Sequence, residues 1–380
     1  MFEKIIQFIR DIYNEPVGPI QLHEPRFVAN ERKYVLDALD STFVSSVGEY
    51  VDRFENMICD ITGAGFTVAT VNGTCALHAA LILAGVQPGD EVISQPLSFV
   101  ATANAISYCG ARPVFLDVSR ETLGLDPQAL EEFLSLHTYM KDRHCYNSAT
   151  DKRLAACVPM HTFGHPCWID AIAELCERYH IPLIEDAAES LGSTYRGKHT
   201  GTFGLLGVYS FNGNKTVTCG GGGAIVTDNE TLAKRAKHIT TTAKVPHPYE
   251  YVHDMVGFNY RLPNLNAALA CSQLELLDYF IEKKRELAGR YQDFFETLNI
   301  HCVKEPGGAR SNYWLNAIIL PDRRIRDEFL KATNEAGVMT RPVWRLLNKL
   351  EVYSTCRTDS LTNAQWLEDR VVNIPSSVRV

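Results

Sequence analysis

From about residue 66 the chain alternates short β-branched runs with helical stretches, and this alternation limits the possible folds more than any other feature. FTVATV (66–71) precedes ALHAALILAG, DEVISQ (90–95) precedes ANAISYCG, and RPVFLDV follows at 112. LAACVPM (154–160) precedes WIDAIAELCERYH, and PLIEDAA begins at 182. Strands that alternate with helices run parallel and are joined by crossovers, so the fold class is α/β with a mainly parallel sheet. Residues 205–228 break the pattern: LLGVYSF, a Gly-rich loop and AIVTD read as two strands around a loop. The stretch 264–295 is helical throughout and leads into a smaller mixed portion. Pro16, Pro19 and Pro25 punctuate an N-terminal arm that opens with an amphipathic helix, with Ile5, Ile6, Phe8, Ile9 and Ile12 roughly on one side. The expected organisation is an arm over 1–25, a large domain over 26–284 and a small C-terminal α/β domain over 285–380. The polar run 139–153 reads as a surface excursion.

Composition narrows the function. The net charge of −8 and pI near 5.9 argue against a nucleic-acid surface, which needs clustered Lys and Arg. A phosphate ligand of such a protein must be met locally, by backbone amides and a few placed side chains. The 11 cysteines show no metal-ligand spacing, so no metal site is expected. No run approaches the roughly 18 to 20 apolar residues of a membrane span. These features point to a cytoplasmic protein with free thiols.

In sheets of this kind ligands sit at the carboxyl ends of the strands. Three loops fall there. In Asn72-Gly73-Thr74-Cys75-Ala76-Leu77, Gly73 lets backbone approach a ligand and Thr74 stands at the cap position of a helix beginning near Ala76. Free first-turn amides with a hydroxyl make an anion site, and an ordinary helix cap is the alternative. In Ile184-Glu185-Asp186-Ala187-Ala188-Glu189, Asp186 ends an apolar strand. It can pair with a protonated ring nitrogen, an interaction of roughly 4 kcal/mol near 4 Å at an effective dielectric of about 20, or it can cap a helix. In Ser210-Phe211-Asn212-Gly213-Asn214-Lys215-Thr216, the lysine is followed by four glycines, Gly220 to Gly223. Most lysines are solvated surface charges; between apolar strands, desolvation favours the neutral amine that a Schiff base needs. A P-loop is excluded, because Asn214 stands where that motif requires Gly before Lys.

The order of these three signals resembles that of fold-type I pyridoxal-phosphate enzymes. Ser-Phe-Asn-Gly-Asn-Lys with its trailing glycines, Glu-Asp-Ala-Ala-Glu, Gly-Thr-Cys-Ala-Leu and Asn259-Tyr260-Arg261 are similar to the DegT-type sugar-nucleotide aminotransferases, from about Pro25 to the end. The resemblance implies pyridoxal 5′-phosphate as cofactor, with Lys215 as covalent attachment point and general base and Asp186 on the pyridine nitrogen. It implies that Ser210, Thr74 and the Gly73 amide hold the phosphate, that Phe99 stacks on the ring, and that Glu189 lies by the 3-hydroxyl. Asn259 matches an asparagine that reaches the neighbouring subunit's phosphate, which implies a homodimer with shared sites.

Leu22-His23-Glu24-Pro25-Arg26-Phe27, Thr42-Phe43-Val44-Ser45-Ser46-Val47-Gly48, Met160-His161-Thr162-Phe163-Gly164-His165-Pro166 and Thr340-Arg341-Pro342-Val343-Trp344 look like the aminotransferases of legionaminic acid or bacillosamine pathways. That likeness implies a UDP- or GDP-linked 4-keto-6-deoxy-N-acetylhexosamine as acceptor and glutamate as donor. A perosamine-type aminotransferase and a non-catalytic regulator are the alternatives. Related dehydratases carry histidine where Lys215 stands. Arg341, Trp344 and Lys244 are the candidate substrate residues. His23, His161 and His165 read as fold residues.

Overall fold

The computed structural model describes residues 1–379. The strands expected between 66 and 228 all form: β1 (Phe66–Thr70), β2 (Glu91–Ser94), β3 (Arg112–Phe115), β4 (Lys152–Val158), β5 (Ile184–Asp186), β6 (Leu206–Ser210) and β7 (Gly223–Thr227). Their order across the sheet is β3-β2-β4-β5-β6-β7-β1. β2 pairs in parallel with β3 and β4, and β6 in parallel with β5. Parallel bridges at Cys157–Leu183 and Met160–Asp186 join β4 to β5. β7 alone among these strands opposes the rest, lying antiparallel between β6 and β1. The Gly-rich loop explains this: a local return without a crossover helix makes antiparallel neighbours. The middle strands are mostly buried, with apolar side chains such as Val92, Ile93, Ala155, Ala156 and Ile184 packed under the helices.

Helix α1 (Phe2–Tyr13) is amphipathic as expected, yet the arm is not a separate unit. Ile5, Ile9 and Ile12 are fully buried among Leu287, Tyr291, Phe295 and Phe329. Each buried isoleucine contributes about 1.5–3 kcal/mol, which docks the arm onto the C-terminal lobe. Helices α2 (Gly73–Leu83) and α3 (Ala101–Tyr108) follow β1 and β2. The long helical stretch is two helices, Asn264–Glu275 and α4 (Leu277–Thr297), divided at Leu276. Because α4 runs unbroken through residues 284 and 285, the expected domain boundary falls inside a helix that both lobes share. The small lobe is a four-stranded antiparallel sheet, in the order His301–Cys302, β8 (Asn316–Ile319), β9 (Val371–Ile374) and Arg341–Pro342. Helix α5 (Arg323–Glu335) packs beside it. The chain then returns to the large lobe, where Arg357–Thr358 pairs in parallel with β3.

The run 139–153 is not a plain excursion. Thr138–Lys141 and His144–Asn147 form a hairpin that pairs onto β4, turning through Asp142 and Arg143 at φ 50 and 62. Tyr139 and Tyr146 stack across it with centroids 5.5 Å apart.

Candidate active site

β5 and β6 lie side by side and end at Asp186 and Ser210, while β1 ends just before Asn72. All three ends meet at one edge of the sheet, at a cleft of about 400 Å³. Gly73, Thr74, Phe99, Asp186, Glu189, Ser210, Lys215 and Trp344 all line it. Two other depressions of similar size, one around Asp117 and Asp359 and one around Asp37 and Asn264, contain none of these residues.

The cap of α2 differs from expectation. Asn72, not Thr74, is the N-cap: its side chain accepts the Cys75 N–H at 2.8 Å, and α2 begins at Gly73. A helix cannot satisfy its own first amides, so those of Gly73 and Thr74 remain for a ligand. Gly73 is dictated by space. A Cβ there would stand 2.9 Å from the Ser210 Cβ and 3.2 Å from its Oγ, so a side chain would close the gap between the helix start and Ser210.

Asp186 caps no helix, since turns follow β5. Its carboxylate is buried: Oδ2 accepts from the Thr102 hydroxyl at 2.7 Å and Oδ1 from the Ala188 N–H at 3.2 Å. Burial raises its pKa, while Thr102, the Ala188 amide and the Lys215 charge pull the other way. Glu189 is buried as well. Its Oε2 accepts the Phe163 N–H at 2.9 Å and its Oε1 lies 3.5 Å from the Lys215 Nζ. Burial pushes the Glu189 carboxyl up to about 7, outweighing the favourable Lys215 charge. Phe163 itself sits at φ 59 and ψ 15, a left-handed conformation that costs a non-glycine residue of order 1–3 kcal/mol.

Lys215 stands in a turn in which its N–H donates to the Asn212 carbonyl at 3.0 Å. Its ammonium lies 4.2 Å from the centroid of Trp314, whose indole N–H donates to the Asn214 carbonyl at 2.6 Å. Trp314 was missed in the sequence, as were Thr102 and Asn312. Asn312 is buried, and its amide donates to the carbonyls of Glu189 and Leu191, both at 2.9 Å, tying a small-lobe loop to the cleft. The one available signal for Trp314 was a tryptophan in the otherwise mostly polar SNYWLN; Thr102 and Asn312 carried none.

Three expected residues do not line this cleft. Asn259 is exposed, accepts from the Arg261 Nε at 2.9 Å and bridges Thr241. Lys244 lies on a short ribbon with His253, 4.6 Å from the Tyr251 ring centroid. Arg341 is exposed on an edge strand, where it donates to the Asn334 side chain and the Thr340 carbonyl, each at 2.9 Å. Those bonds hold its guanidinium at the end of α5: within the chain, Trp344 lines the cleft and Arg341 does not. His161 is a fold residue, its Nε2 3.0 Å from Glu185 beneath the site. His165 is one too: it is fully buried, and burial pushes its pKa down to about 4.

The donor set suits pyridoxal phosphate: an amine on a turn, a buried carboxylate at a strand end, and a helix start kept open by Gly73 beside a serine hydroxyl. The profile of the DegT/DnrJ/EryC1/StrS aminotransferase family matches residues 25–380. The chain belongs to that family. The GDP-perosamine synthase of Escherichia coli O157:H7 is 36% identical over 357 residues, covering 94% of this chain and 93% of that protein. The GDP-perosamine synthase of Caulobacter vibrioides is 35% identical over 362 residues, with 94% and 93% covered. The crystal structure of the aminotransferase TlmJ from Streptoalloteichus hindustanus superposes with a TM-score of 0.85 at 29% identity, covering 94% of each chain. This family member is a pyridoxal-phosphate-dependent aminotransferase. The narrower likeness to legionaminic acid or bacillosamine enzymes is not the one these relatives display.

Proposed function

We propose that this enzyme moves the amino group of glutamate onto the keto carbon of a nucleotide-linked 4-keto-6-deoxyhexose. One observation carries the reading: the α2 start, Asp186 and Lys215 converge on a single cleft walled by Phe99, Trp314 and Trp344. Pyridoxal phosphate, when bound, supplies an electron sink for the α-proton's departure from the donor. Lys215 Nζ would attach the cofactor and, once released, carry that proton as base and then acid. Asp186 would hold a negative charge opposite the ring nitrogen, braced by Thr102. Ser210, Thr74 and the Gly73 amide would bind the phosphate, Phe99 would stack on the ring, and Glu189 would lie at its 3-hydroxyl side. The aromatic walls exclude water and present faces on which a sugar can pack.

The relatives' names favour a GDP-linked acceptor of the perosamine type. The N-acetylated reading, legionaminic acid or bacillosamine with a UDP- or GDP-linked sugar, rests on motifs of which Met160 and Trp344 line the cleft. Asn259 and Lys244, exposed and outside their own cleft, support a homodimer in which each serves its partner's site. Two measurements test the proposal. Borohydride reduction of the cofactor-loaded protein with peptide mapping should label Lys215, and a label on another lysine overturns the assignment. Turnover should then be compared across GDP- and UDP-linked 4-keto-6-deoxyhexoses with and without a 2-acetamido group. The GDP-linked sugar lacking it should win, a preference for an acetamido sugar would favour the second reading, and turnover of none refutes the substrate class.

A further inference from the structure

Lys284 is fully buried in the middle of α4, with no carboxylate in ion-pair range among the described residues. Its ammonium donates instead to two backbone carbonyls, those of Trp314 at 3.1 Å and Ser376 at 2.7 Å. Burying an amine without a counter-ion is costly, and an apolar side chain would fill the same space more cheaply. Burial pushes this amine down to about 7. The titratable group facing it is His23, whose two ring nitrogens are buried without partners and whose charged neighbours are Lys284, Lys215 and Arg26. The next residue of α4 acts on the same loop: Arg285 donates to the Ser311 carbonyl at 2.8 Å and pairs in bidentate fashion with Glu305.

The loop Ser311–Trp314 is thus held on two sides. Lys284 and Arg285 hold it from behind. Toward the cleft, Asn312 grips the carbonyls of Glu189 and Leu191, and the Trp314 ring covers the Lys215 ammonium. The loop includes a non-glycine residue in the left-handed region, Tyr313 at φ 47, which its surroundings must enforce.

We infer that Lys284 is a positioning residue for Lys215: by fixing the Trp314 carbonyl it sets the indole over the Lys215 ammonium and controls how freely that amine reacts. The inference rests on Lys215 as the reactive amine of the proposed function, but its test does not. In the full-length chain freed of cofactor, reductive methylation of Lys215 is followed by peptide mapping, with the exposed Lys234 as internal reference. Losing a cation–π contact at a partly buried site should raise Lys215 labelling about tenfold in Trp314→Ala. Lys284→Met should raise it to a similar extent, and the double variant no further, because both remove one arrangement. In the loaded enzyme the same Lys284 variant should lower kcat with little change in KM for glutamate.

Wild-type labelling in a folded Lys284→Met, or effects that multiply in the double variant, would overturn the inference. If Lys284→Met fails to fold, Lys284→Leu, which likewise removes both donors, carries the test, and labelling unchanged from wild type there overturns it too. Failure of the borohydride assignment would leave these labelling outcomes readable.

Discussion

Glu189 gives the most quantitative handle on the site. It is 3% exposed, and burial lifts its carboxyl from an ordinary value of 4.5 to about 7. Lys215 at 3.5 Å and the Phe163 amide at 2.9 Å both favour the carboxylate and only moderate that rise. In the folded chain the group keeps its proton up to about pH 7, whereas the unfolded chain releases it near 4.5. Between those values the folded state binds more protons, so stability falls as pH rises. A difference of roughly 2.5 units at 1.36 kcal/mol each comes to about 3 kcal/mol, present below pH 4.5 and gone above pH 7.

Glu189→Gln keeps an oxygen for the Phe163 N–H and does not titrate. Urea unfolding of the cofactor-free wild type and variant, at intervals from pH 5 to 8, isolates this one group in the difference. The variant should gain on the wild type by about 2.5 kcal/mol between pH 5 and pH 8, most of it below pH 7, and level off above. The slope carries the test, because the lost Lys215 contact contributes an offset. A difference that is flat in pH would refute the reasoning: Glu189 would then be ionised throughout, with Lys215 and the Phe163 amide outweighing its burial.

Asp186→Asn should lower the rate of the glutamate half-reaction by at least about a hundredfold while the melting temperature holds, since the ring nitrogen loses its charged partner. A near-wild-type half-reaction would make the acid structural. Trp344→Ala should raise KM for the sugar nucleotide and leave the glutamate half-reaction almost untouched in single-turnover kinetics, whereas Arg341→Ala should leave both unchanged. A KM increase in Arg341→Ala would mean that its side chain leaves Asn334 for the substrate. Lys215→Ala and Asn259→Asp, each nearly inactive alone, should regain activity when mixed and re-associated, because some heterodimers hold one intact site. No recovery with heterodimers confirmed would count against shared sites.

The legible parts of the sequence were those where local chemistry and burial agree. Strands β2, β4 and β6 are covered on both faces and read as apolar runs. Lys215 stood out because glycines follow it, and Asp186 because it interrupts an apolar strand end. The hairpin at 138–147 was misread because its first strand is largely exposed and carries no apolar alternation. The cap was misplaced by two positions because Asn72 and Thr74 are both good cap formers and only geometry separates them. Amphipathicity showed which face of α1 is buried but not that its partners are α4 and α5. Thr102 and Asn312 carry no local mark, and Trp314 only its own ring in a mostly polar run: each acquires its role from a contact across at least 84 residues of chain, as the Thr102–Asp186 and Trp314–Asn214 bonds show.

The place of Arg341 outside the cleft has a consequence for charge. A nucleotide sugar brings a diphosphate to a protein with a net charge of −8, and among the described residues lining the cleft Lys215 is the one cation, set beside the acids Asp186 and Glu189. Lys215 is committed to Glu189 and the Trp314 ring, so it cannot also neutralise a diphosphate. First-turn amides can hold one phosphate, which the proposed function gives to the cofactor. For the proposed substrate, the cationic partner would then come from outside this cleft. The chain holds Lys244 and Arg261 on the same exposed stretch as Asn259, beside the exposed apolar residues Tyr249, Tyr251, Met255 and Val256. In the proposed homodimer a second copy of the chain would cover this apolar patch and bring its flanking cations to a cleft that lacks them.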